Sequence, residues 1–179
     1  WRVLVPAAAC LCVVAGLGLG RQRAALPQAR SAAGPASQLL VYEVDRRHAS
    51  RQATGRIDRG SALAFAYANA AHRRRLLVFG VDEDRRVYWY HPAWSDAREN
   101  PVAVPIEDDG ALHEIPQAVT HALAGRRLEI FAAFGDDALS VRDVEAALAR
   151  APADAAGRPV VTLPGWDVTR YELALAGEP

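Results

Sequence analysis

The chain has 179 residues and 51% apolar content, enough to build one hydrophobic core without disulfide or metal staples. Its 21 basic and 21 acidic residues cancel to zero formal charge, so no overall field draws it to nucleic acid, and no nucleic-acid partner is expected. Every basic residue is arginine, the mark of a GC-rich coding sequence, which blunts any argument from an arginine cluster alone.

The chain starts at Trp1 and holds no methionine, as expected of a fragment or a processed product with its true start upstream. From Val3 to Gly20 the run VLVPAAACLCVVAGLGLG carries no charge and would span about 27 Å as a helix, close to the hydrocarbon thickness of a bilayer. A core helix of a soluble protein would need a polar face, and this run has none, so residues 1–20 are predicted to be a single transmembrane helix. A spanning anchor fits better than a cleaved signal or a lipoprotein. Lipidation at Cys10 would leave the mature tether beginning with the apolar LCVVAGLGLG. Cys10 and Cys12 would point to different sides of that helix, which disfavours a bond between them. Gly16 and Gly20 have the GxxxG spacing of close helix pairs, although a Gly- and Ala-rich run produces that spacing by chance as well. Arg2 flanks one end and Arg21, Arg23 and Arg30 the other; taken alone, these charges would leave the carboxyl-terminal part in the cytoplasm.

Residues 21–37, RQRAALPQARSAAGPAS, have no hydrophobic period and read as a flexible linker, leaving 38–179 as the folded domain. Strands are predicted at Gln38–Val44 and Thr54–Ile57, with the polar DRRHASRQATG between them. Ser61–Asn69 places Leu63, Phe65 and Tyr67 on one face, the period of two that marks a strand, with helix as the rival because of its alanines. Arg75–Val81 and Arg86–His91 form the clearest hairpin, joined by Asp82, Glu83, Asp84 and Arg85. Pro101–Ile106 reads as a short edge strand followed by an EDDG turn, and Ala118–Leu123 with Arg127–Phe134 as a second hairpin across Ala124 and Gly125. Ser140 is placed to cap a short helix with Val141, Val144 and Leu148 on one side. Val160–Leu163 and Thr169–Leu175 complete a mainly β fold: a two-sheet β-sandwich of about seven or eight strands with one short late helix.

Three pieces in order, RGSALAFAYAN, LLVFGVDEDRRVYWYHP and LEIFAAFGDDALSVRDVEAAL, make the run from Arg59 to Asp143 similar to an uncharacterised family of bacterial cell-envelope domains. Those domains occur in proteins that pair a membrane helix with an anti-sigma-like segment or accompany caspase-like peptidases. The resemblance covers about half the chain. It implies an extracytoplasmic β domain with a regulatory or sensory role and a cytoplasmic portion upstream of Trp1, and it carries over no catalytic residue.

No nucleophile elbow, phosphate loop or dinucleotide fingerprint is present, and beyond Cys12 there is no thiol, so no enzyme activity and no cofactor are expected. His48, His72, His91, His113 and His121 form no metal-binding spacing. The best ligand set a hairpin could gather, His113 and His121 with Asp108 and Asp109, competes with a simple reading as surface residues. Asp82, Glu83 and Asp84 could supply an acid pair, but adjacent acids in a turn ordinarily face water. His72, Arg73, Arg74 and Arg75 could meet lipid headgroups, or form a solvated turn.

The preferred binding surface is aromatic. Alternation sends Tyr88 and Tyr90 to one face and Trp89 to the other, so Trp89, Tyr90, His91 and Trp94 are the candidate contact residues, against the alternative that core and loop cover both faces. The expected function is a membrane-anchored extracytoplasmic binding or regulatory module with a protein partner in the envelope and the bilayer reached through residues 3–20. The sensor part of an anti-sigma-like signalling protein is one form of it. The alternatives are a hydrolase with an unrecognised polar site and a purely structural envelope domain.

Overall fold

The computed structural model describes residues 37–177 except Arg46, Ser95 and Ala97; the expected membrane run and all but the last residue of the linker lie outside the described residues. Among the described residues no helix is long and apolar enough to cross a membrane. The described residues form ten strands and one helix in chain order: β1 (Gln38–Val44), β2 (Ser50–Gln52), β3 (Arg56–Asp58), β4 (Ala62–Ala68), β5 (Arg75–Asp82), β6 (Val87–His91), β7 (Val104–Pro105), β8 (Leu112–Val119), β9 (Arg127–Gly135), α1 (Val141–Arg150) and β10 (Asp167–Ala176). They build a two-sheet sandwich, with one sheet ordered β2-β1-β4-β8 and the other β3-β10-β9-β5-β6, and with β7 also on β5.

The alternating pattern of β1 and β4 turns Leu39, Val41, Leu63, Phe65 and Tyr67 inward, against Leu76, Val78, Leu128, Ile130 and Phe134 of the larger sheet. The outer face of that sheet is covered too. Leu77, Phe79, Val81, Phe131 and Ala133 pack against Val141, Val144 and Leu148 of α1 and against Leu163. Burial on both faces explains why β5 and β9 read as near-continuous apolar runs, and each fully buried large side chain there contributes about 1.5–3 kcal/mol. Ser140 starts the helix as expected: its Oγ accepts from the Asp143 amide at 3.3 Å and the Asp143 carboxylate accepts from the Ser140 amide at 3.1 Å. Asn69, buried at the end of β4, donates to the carbonyls of Arg73 and Glu107, which ties the β4–β5 turn to the segment before β8.

The β5–β6 hairpin forms, and Ser61–Asn69 is a strand rather than a helix. Several expectations are corrected. The second hairpin does not exist: β8 ends at Val119, pairs with β4, and the chain then crosses to β9 in the opposite sheet. As the edge strand of the smaller sheet, β8 buries only Ile115 and Val119, so LHEIPQAV lacks the apolar content by which a strand is read. The same holds for β2, which lies in the polar stretch expected to be a loop. Val160–Leu163 forms no strand and covers the outer face instead, while β3 pairs in parallel with β10.

Gly135 ends β9 directly beneath the indole of Trp166, and a Cβ there would fall 2.3 Å from Trp166 Cδ2. The conflict is with a large ring rather than with backbone conformation. Gly135→Ala is expected to lower stability by about 1–3 kcal/mol in urea unfolding, and a Trp166→Ala background should remove most of that loss.

Candidate functional site

The residues expected to form an exposed aromatic platform are largely interior. Trp89 is 6% exposed and Tyr90 1%, because β6 lies between the smaller sheet on one side and α1 on the other. The alternation itself holds. Tyr90 packs on Phe65 at 5.1 Å and edge-on to His121 at 4.9 Å, while Trp89 packs on Phe79 at 5.3 Å and donates from Nε1 to Glu145 at 3.1 Å. Tyr90 is the extra residue of a bulge opposite Val78 and Phe79, and Gly80 leaves room for its ring: a Cβ at Gly80 would sit 3.1 Å from Tyr90 Cε2. His91 and Trp94 are half-buried, so the four residues do not present one continuous contact face.

The other sequence candidates also have structural partners. His113 reaches Asp109 at 2.7 Å and His72 reaches the Asp108 carbonyl, but His121 sits elsewhere, bonded to the Trp89 carbonyl at 2.8 Å. The proposed metal set is therefore not assembled, and among the described residues no cluster of three ligating side chains occurs. Arg73 bridges Asp136 and Asp167 at 2.7 and 2.9 Å, and Arg75 donates to the Ala103 carbonyl at 2.8 Å, so the basic run is mostly committed to holding loops. Of the three turn acids, Asp82 is interior and organises its own hairpin, accepting from the amides of Asp84 and Arg86 and from the Tyr88 hydroxyl at 2.8 Å.

Glu83 behaves differently. Its two carboxylate oxygens accept from the Arg126 and Arg127 amides at 2.9 and 3.0 Å, which pins the chain just before β9 to the β5–β6 turn. Gly125 makes that approach fit: its φ is +75°, and a Cβ would lie 2.9 Å from the Glu83 carboxyl carbon. The clamp forms one wall of a cleft of about 420 Å³ lined by Arg56, Arg59, Glu83, Gly125, Arg126 and the last residues of β10. β3 supplies Arg56, and the turn after it supplies Arg59, whose amide donates to the Ala176 carbonyl at 3.0 Å. The Leu175 amide in turn bonds the Arg126 carbonyl at 2.8 Å, so both arginine-bearing segments are fixed to the same end of β10.

The electrostatics of this cleft are one-sided. Arg56 and Arg126 are exposed and, among the described residues, their guanidinium groups have no carboxylate partner. Arg59 donates from Nη1 to the Leu123 carbonyl at 3.0 Å, while its Nε is buried without a hydrogen-bond partner. Three guanidinium groups face one carboxylate already engaged by backbone, an arrangement that attracts an oxyanion. These arginines went unnoticed in the sequence because arginine is the only basic residue it uses. The available signal was the glycine beside each: Gly55-Arg56, Arg59-Gly60 and Gly125-Arg126. No family model, curated protein or solved structure matches the chain.

Burial pushes the His91 imidazole from 6.5 down to about 4, and lowers His121 as well. The unfolded chain takes up protons at these rings near the ordinary value, whereas the folded protein resists until lower pH. The stability they leave intact at neutral pH is therefore lost progressively as the pH falls from 6.5 toward 4. His91 should show no NMR titration step until near pH 4, and unfolding free energy should fall less steeply with acidification in His91→Asn than in the wild type.

Proposed function

We propose that this chain is a membrane-anchored extracytoplasmic binding module whose β-sandwich holds an anionic ligand in the arginine cleft, without turnover. The observation that carries the reading is the set of three guanidinium groups around one cleft, two of them without an acidic partner among the described residues and the third with an unpartnered buried Nε. Some arginines of this chain are committed to carboxylates, as Arg51, Arg73 and Arg158 are. Leaving Arg56 and Arg126 unpaired on a cleft wall is a local excess that an incoming anion would neutralise.

The apolar run at 3–20 supports the anchor, and the similarity of residues 59–143 to bacterial envelope domains supports the extracytoplasmic placement and the regulatory role. In this reading the aromatic hairpin is the rigid frame, and the cleft at the end of the sandwich is the contact site. A partner protein in the envelope would be sensed through the ligand or alongside it.

The test uses the full chain in phosphatidylcholine nanodiscs, with thermal unfolding followed in chloride and in equal ionic strength of sulfate, phosphate or succinate. At least one of these anions should raise the melting temperature of the wild type. Arg56→Gln together with Arg126→Gln, which removes two exposed unpaired side chains and should leave the unliganded melting temperature unchanged, should abolish the increase. An equal response in both proteins, or no response to any anion, overturns the reading.

A further inference from the structure

Beyond the choice of an anion in general, we infer that the cleft takes a phosphomonoester: a doubly charged, tetrahedral phosphate carried on a small organic group. This rests on the reading of the cleft as the binding site. Three features narrow the ligand. The first is charge. Among the described residues lining the cleft, Arg56, Arg59 and Arg126 against Glu83 leave an excess of two positive charges, which a monoester dianion neutralises and a single carboxylate or a phosphodiester does not.

The second is direction. Arg126 enters from the segment before β9, and Arg56 and Arg59 from either end of the short strand β3. One planar guanidinium fork already satisfies one planar carboxylate. Donors arriving from two different segments suit an anion whose oxygens lie in more than one plane. Glu83 does not compete for them, since its oxygens already accept the Arg126 and Arg127 amides at 2.9 and 3.0 Å.

The third is the remainder of the volume. A cleft of about 420 Å³ is several times larger than a phosphate group, and beside the arginines it is lined by Leu175, Ala176 and Gly177, at the end of the strand to which both arginine-bearing segments are bonded. Gly177, with a φ of +92°, adds no side chain to this stretch of the lining. A short carbon backbone, such as that of a glycerol or sugar phosphate, would lie along this apolar strip with its phosphate on the arginines. The same chemistry reaches the protein from two sources: a soluble phosphate ester, or the monoester headgroup of a lipid in the bilayer.

The experiment measures binding to the full chain in phosphatidylcholine nanodiscs, by calorimetry, for glycerol 3-phosphate, its choline diester and succinate. Nanodiscs containing phosphatidic acid serve as a parallel arm. The monoester should bind about tenfold or more tightly than the diester or succinate, and Arg59→Lys, which keeps the charge but loses the fork, should weaken it about tenfold. Binding of free glycerol 3-phosphate assigns a soluble source. Protection of the cleft arginines from a guanidine-modifying reagent only in phosphatidic acid discs assigns the lipid headgroup, and either result supports the phosphomonoester. If succinate or the diester binds as well as the monoester, the inference falls while the anion-binding reading stands. If no anion binds in any arm, both fall.

Discussion

The pairing of β5 with β9 sets most of what surrounds it. These two strands run antiparallel from Arg75↔Gly135 to Asp82↔Leu128 at the centre of the larger sheet, and both of their faces are covered. Each strand therefore has to satisfy two packing surfaces. Phe79 and Phe131, opposite each other in the register, stack at 5.3 Å on the helix side, while Val78 and Ile130 serve the inter-sheet core. The Glu83 turn is the direct extension of β5, and Arg126 immediately precedes β9, so the two sides of the cleft clamp continue this central ladder. The position of the cleft residues is in that sense inherited from the buried central ladder of the larger sheet.

That arrangement places a solvent-facing site on a rigid base. Arg56, Arg59 and Arg126 project from strand ends and turns, and the backbone beneath them is bonded to β10, whose other edge pairs with β9 along eight residues. The Arg56 and Arg126 side chains are exposed, whereas the Arg59 guanidinium is already held by the Leu123 carbonyl. An anion on the cleft would then have two guanidinium groups to order rather than three, which limits the entropic cost of such a contact.

Legibility in the sequence tracked burial. β1, β4, β5, β6 and β9 carry enough alternating or continuous apolar residues to be read directly, and α1 announced itself through Ser140 and Asp143. β2 and β8 did not, because β2 buries no side chain and β8 only two, and both owe their conformation to hydrogen bonds with a neighbour that local pattern does not name. The false hairpin at 118–134 has the same origin. Val119 and Leu123 are apolar because the chain crosses through the core between sheets, which in sequence looks like a strand next to a turn. The site was less legible than the fold. Tyr90 and Trp89 drew notice for their size, and size is what the core uses. The cleft depends on residues from positions 56 to 177 whose convergence follows from topology alone.

The parallel pairing of β3 with β10 brings residues 56–58 beside residues 174–176. No turn can join parallel neighbours so far apart in the chain, so this contact closes one of the longest loops in the fold. During vectorial synthesis, Arg56 and Arg59 emerge more than a hundred residues before the strand that completes their cleft. The finished cleft is thus a report on completion: a nascent or carboxyl-terminally clipped chain displays the same arginines but not the cleft.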